Sequence, residues 1–154
     1  MANPSPGTAP DGLEPMWTEP EARGTEVRRV RSRYGDGMER VVGIGGYFLR
    51  ATDPAALMAW YRDALGLDTD ENGLWSPEAG PTVFATFESE TDYFGSRTQQ
   101  AMLNFRVRDL DAMLAQLRAK GADVDSEPQE MEGVGRFGWV TDPEGNRVEL
   151  WQPA

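Results

Sequence analysis

Between Val41 and Pro153 the spacing of apolar residues changes from a strand period to a helix period twice, in the same order. Val41 to Ala51 reads as a strand with glycines at 43, 45 and 46, and Asp53-Pro54 then supplies an N-cap and a proline suited to the first helical position. Leu57, Trp60, Tyr61, Ala64 and Leu65 recur at i, i+3, i+4, i+7 and i+8, which predicts a helix with one packed face, and Gly66 stops it. A turn-rich stretch with Asn72-Gly73, an apolar patch at Leu74-Trp75 and a β-branched and aromatic strand from Thr82 to Phe87 follow.

The order then repeats. Ala101 to Val107 is a second leading strand, Asp109 can cap a helix with Leu110, Met113, Leu114 and Leu117 on one face, and Gly121 closes it. Gly138 to Thr141 and Arg147 to Trp151 form a hairpin around Asp142-Pro143-Glu144-Gly145-Asn146, with proline and glycine where tight turns require them. Matching strand, cap, helix and glycine stop at nearly the same offset indicates two copies of a βαβββ unit, 41–94 and 101–153. The class is therefore α+β.

Upstream the pattern is lost. Residues 1–37 carry Pro4, Pro6, Pro10, Pro15 and Pro20 among glycine, serine, threonine and glutamate, a composition that buries too little surface to order itself. The expectation is a flexible extension, 1–37, before a folded domain, 38–154. Within the extension Arg28, Arg29, Arg31 and Arg33 form a basic cluster that could dock on an acidic surface.

Composition narrows the chemistry. The net charge of -11 opposes a general attraction to nucleic acid or an anionic membrane. No apolar run is long enough to span a bilayer, and no export signal is recognisable, so a cytoplasmic location is expected. The chain has neither cysteine nor histidine, which removes thiolate ligands, the commonest metal ligand and the usual general base near neutral pH. Any acid–base or metal chemistry falls to carboxylates, amides, tyrosine or lysine.

The strings GIGGYFLRATDPAALMAWYRDALGL, MLNFRVRDLDAMLAQLRAKGADV and DPEGNRVELWQP resemble the vicinal oxygen chelate superfamily of glyoxalases, bleomycin-resistance proteins and extradiol dioxygenases, over Glu39 to Pro153. The resemblance implies two tandem βαβββ units forming a curved mixed sheet with a central cleft and helices on the outer face. Metal-binding members take histidine or glutamate from the first and last strands of each unit. Here the first-strand positions fall on Gly46 and Met102, and the last strands offer Glu149 and, near the other, Glu88. That set falls short of the three protein ligands usual for a catalytic metal centre, so no metal and no cofactor is expected.

Strand alternation assigns the remaining cleft residues, because side chains two apart share a face. Gly46, Phe48 and Arg50, then Met102, Asn104 and Arg106, then Arg147, Glu149 and Trp151 should line the cleft. Tyr47, Leu49, Ala51, Leu103, Phe105, Val107, Val148 and Leu150 should meet the helices. Trp75, Trp139, Tyr93 and Phe94 could border the mouth, with aromatic core packing as the commoner role for each.

The expected ligand is a small hydrophobic or aromatic organic molecule contacted by Phe48, Arg50, Met102, Asn104, Arg106, Trp139 and Trp151, with Glu149 as a metal-free general base. The plain alternative is an ion network in which Arg50, Arg106, Arg147 and Glu149 pair with one another. Two other functions stay open: a metal-assisted lyase, isomerase or dioxygenase using Glu149 and Glu88, and a protein-interaction module built on the Arg-rich segment. Family members commonly pair, which leaves a homodimer open.

Overall fold

The computed structural model describes residues 41–154; the 1–37 extension, its arginine cluster and the start of the domain at Met38 lie outside the described residues. Contacts divide the chain after Gly45, and the regular elements among the described residues belong to the unit Gly46–Ala154.

Helix α1 spans Pro54–Leu65. It begins where the Asp53 carboxylate accepts the Ala56 N–H at 3.0 Å. It ends where Gly66 turns to φ 72°, a left-handed conformation that glycine adopts without a Cβ penalty, and the N–H groups of Gly66 and Leu67 fold back on the Arg62 and Tyr61 carbonyls. Strand β1 is Leu103–Arg106, helix α2 Leu110–Ala119, strand β2 Asp123–Val124, β3 Gln129–Met131, β4 Gly135–Thr141 and β5 Arg147–Pro153. Asp109 caps α2 through the Ala112 N–H at 2.9 Å. The helix itself stops at Ala119, two residues short of Gly121.

The sheet is mixed. Its order is β1-β5-β4-β2, with β1 parallel to β5, β4 antiparallel to β5, and both β2 and β3 antiparallel to β4. Since β2 lies opposite Val140–Thr141 and β3 opposite Gly135–Phe137, the two short strands are consecutive pieces of one strand position. The second unit is thus a complete βαβββ.

Both helices pack on one face of the sheet. Leu57, Tyr61 and Ala64 of α1 and Leu110, Leu114 and Leu117 of α2 bury against Val140, Val148 and Leu150, with Leu103, Phe105 and Val107 packed around them. Each fully buried leucine contributes roughly 1.5–3 kcal/mol by leaving water. Glycine at 138 lets α2 come close: a Cβ there would stand 3.1 Å from a Leu114 methyl.

The hairpin turn ties α1 to this sheet. The buried Asp142 carboxylate accepts from the Tyr61 hydroxyl at 3.0 Å and from the Asn146 N–H at 2.8 Å. Glu144 accepts from the N–H groups of Thr52 and Asp53 and from the Thr52 hydroxyl. The Asp53 backbone and Thr52 side-chain donors hold the Glu144 carboxyl below its ordinary range.

The first unit departs from the pattern expected of it. Residues 41–51 and 82–87 are not strands; among the described residues they have no ladder partners, and the isolated bridge Thr69 to Trp75 is the β pairing formed between the two. Ala51 does reach the core, but Tyr47 and Leu49, expected to meet the helices, are about half exposed. Alternation signals which side of a strand is apolar, whereas a strand exists through its partner, and β1 is paired on one side alone.

Candidate functional site

The sheet face turned away from the helices is set by register. Asn104 lies beside Glu149 across the parallel β1–β5 pair, Trp139 lies opposite Glu149 across β4–β5, and Phe137 lies opposite Trp151. Four of the expected residues, Asn104, Trp139, Glu149 and Trp151, are therefore brought to one face.

Glu149 is its centre. The residue is 6% exposed, and its carboxylate is held by three neutral donors: the Tyr93 hydroxyl and the Trp139 indole N–H on Oε1, and the Asn104 amide on Oε2. A charge taken out of water without such partners would be costly. Burial first, and then the negative charge of Glu149, push the Tyr93 phenol well above its ordinary value of 10.0, with Arg147 pulling the other way. Tyr93 is thus a neutral donor throughout the physiological range.

The alternative arrangement, an ion network joining Arg50, Arg106 and Arg147 to Glu149, does not form. Arg147 pairs with Asp125 at 2.6 Å and lies over the Trp139 ring at 5.0 Å. Arg106 turns to the loop before residue 82, donating to the Glu78 carbonyl at 2.6 Å and the Ala79 carbonyl at 3.4 Å. Those carbonyls belong to a segment without a ladder, and the guanidinium satisfies what a neighbouring strand would otherwise satisfy.

Aromatic rings complete the site. Trp151 donates its indole N–H to the Val134 carbonyl at 3.1 Å and stacks on Phe137 at 6.2 Å. From above, Tyr93 presents itself to Trp139 edge-on at 5.9 Å and stacks on Phe87 at 5.2 Å and 13°. Phe94 meets Phe87 at 5.1 Å. A cavity of about 130 Å³ opens beside this cluster, between Phe87, Phe94 and the side chains of Glu88, Arg97 and Gln99.

Phe48 and Arg50 do not join the site. Phe48 is 96% exposed and Arg50 is exposed, because their segment has no strand to hold it over the sheet. Met102 is half-buried just before β1. Conversely, Phe87, Phe137 and Gln99 come to the site without having been expected there. Gln99 donates to the Arg147 carbonyl at 2.8 Å and accepts the Arg147 N–H at 2.7 Å, fastening the inter-unit connector to β5. No sequence motif marks Gln99, while Phe137 was accessible from its two-residue spacing to Trp139.

The donor set does not suit a metal. Glu149 is a lone carboxylate among a phenol, an indole and an amide, Gly46 and Met102 bring no oxygen side chain, and among the described residues no three of His, Cys, Asp and Glu come together.

Comparison with known proteins agrees with this architecture. TnmS3, an antibiotic binding protein from Streptomyces sp. CB03234, superposes with a TM-score of 0.51 at 22% identity, covering 76% of this chain and 100% of that one. The genomically encoded fosfomycin resistance protein FosX from Listeria monocytogenes gives 0.52 at 16% identity, covering 75% and 96%. Both likenesses concern the fold. No curated protein matches. The family model for the Glyoxalase/Bleomycin resistance protein/Dioxygenase superfamily matches residues 43–150, and with that span and this fold the chain belongs to that superfamily.

Proposed function

We propose that the protein binds a small aromatic or otherwise hydrophobic organic molecule on the sheet face around Glu149, without a metal ion. The observation that carries this reading is the arrangement of Trp139, Trp151 and Phe137 as an apolar floor around one buried carboxylate held by three neutral donors. TnmS3, with the same fold, is an antibiotic binding protein, which favours sequestration of a ligand over its conversion. Glu149 acts as the organising anchor, holding Tyr93, Trp139 and Asn104 in place. Partners other than nucleic acid accord with the charge of -11, and a location in the cytoplasm is part of the same proposal.

Thermal-shift measurements with a panel of aromatic metabolites and antibiotics test the reading. A ligand present at 100 times its dissociation constant stabilises the fold by roughly 2.7 kcal/mol, an upward shift of several degrees. Stabilisation by no member of the panel would overturn the proposal, and equal stabilisation of wild type and Glu149→Gln would remove Glu149 from it.

We also propose that the protein pairs as a homodimer. Phe48 and Phe84, 96% and 87% exposed, lie in β-prone segments that have no ladder partners among the described residues, which a second copy can supply. Light scattering behind size exclusion should return twice the 17.1 kDa chain mass; a monomer at micromolar concentration would refute it.

A further inference from the structure

The ring of Tyr93 sits as a bound aromatic molecule would. It comes from the connector between the units, outside the regular elements, and lies on the sheet face that the helices leave uncovered. Phe87 stacks on one side of it, Trp139 meets it edge-on, and its hydroxyl reaches Glu149. If the position served packing alone, phenylalanine over an apolar residue would avoid burying a carboxylate. Departures of this kind from the simplest core mark functional positions.

From this we infer that Tyr93 occupies an aromatic subsite of the chain's own ligand, that the ligand carries a neutral hydroxyl on an aromatic ring, and that the connector moves aside to admit it. The inference rests on the cleft reading above and narrows its chemistry. The carboxylate can only accept, and with Trp139 and Asn104 already on it, the place held by Tyr93 takes one further donor. A ligand carboxylate or phosphate would meet Glu149 with like charge, and the nearby Arg147 is already paired with Asp125. An ether or ketone brings no donor. A phenolic hydroxyl reproduces what Tyr93 does. The connector is fastened by Tyr93 on Glu149, Trp139 and Phe87, Phe94 on Phe87, and Gln99 on Arg147, none of which belongs to the helix-side core, so its release leaves that core intact.

Phenol and benzene serve as probes, since they are the tyrosine and phenylalanine rings without their Cβ. Calorimetric titration of Tyr93→Ala should give phenol binding at least ten-fold tighter than to wild type and than benzene binding to the same variant. Adding Glu149→Gln should cut the preference for phenol several-fold. Tyr93→Ala that keeps its far-ultraviolet circular dichroism yet binds phenol no better than wild type, or binds both probes alike, overturns the inference. Should Tyr93→Ala not fold, Tyr93→Phe decides: it lacks the hydroxyl anchor, so phenol should bind it several-fold more tightly than wild type, and equal binding overturns the inference.

The two proposals fail separately. An antibiotic that stabilises wild type while Tyr93→Ala takes up no phenol sinks the phenol subsite alone. Phenol uptake by Tyr93→Ala with no ligand for wild type sinks the cleft reading alone.

Discussion

Replacing Glu149 with alanine is expected to destabilise the protein by about 3 kcal/mol, read as a lower midpoint in urea, because buried donors lose their acceptor at ~1–3 kcal/mol each. The Trp139 indole N–H suffers most, since that residue is 2% exposed. Tyr93 is half-buried and recovers part of the loss from water, and Asn104, the most exposed of the three, recovers most of it. Glu149→Gln should cost only about 1 kcal/mol. Its remaining oxygen can keep Tyr93 and Trp139, and the Asn104 amide can rotate to offer its oxygen to the new NH₂. Equal losses in the two variants would show that the charge, rather than the geometry of acceptance, holds the site together. The same pair bears on function, because a Glu149→Gln protein that remains folded isolates the carboxylate's role in ligand binding.

Gly135→Ala is expected to cost about 3 kcal/mol, through overpacking added to an unfavourable backbone conformation. Gly135 opens β4 at φ 133°, where side chains are strained, and a Cβ would stand 2.2 Å from the Gln152 carbonyl oxygen and 2.8 Å from the Trp151 indole nitrogen. The obstructing oxygen belongs to the paired strand β5, so relief requires parting the β4–β5 ladder at its end. The Trp151 ring would have to shift from Val134 as well, which carries the damage into the aromatic floor. Thermal denaturation checks the size of the loss, and near-ultraviolet circular dichroism checks the tryptophan environment. A variant as stable as wild type would mean that the strand end gives way freely.

Much of the second unit was legible from residue order. Asp109, the spacing of Leu110, Leu114 and Leu117, and the Asp142 to Asn146 turn each act over a few neighbouring residues, so local chemistry suffices to locate them. The alternation in Leu103 to Arg106 and Arg147 to Trp151 also sorted the two sheet faces, because the pleat sends successive side chains to opposite sides whatever the partner strand. Asn104, Glu149 and Trp151 follow from that sorting.

The same reasoning failed for Phe48 and Arg50. Their segment alternates as a strand should, yet no ladder among the described residues reaches it, and both side chains are exposed. Arg106 was assigned the correct face, but its long side chain reached unpaired loop carbonyls instead of Glu149. Tyr93 was recognisable as a residue near the mouth, while its bond to Glu149, 56 positions away, depends on how the connector folds across β5.

The α+β class, the capped helices, the hairpin turn and the absence of histidine and cysteine from any site follow from residue order, because those depend on residue identity or on short-range stereochemistry. Tertiary structure alone decided that Glu149 would be buried under a phenol, an indole and an amide rather than among arginines. That outcome depends on which side chains long-range pairing brings within hydrogen-bond reach of one carboxylate, a matter of three-dimensional distance that residue order does not encode locally.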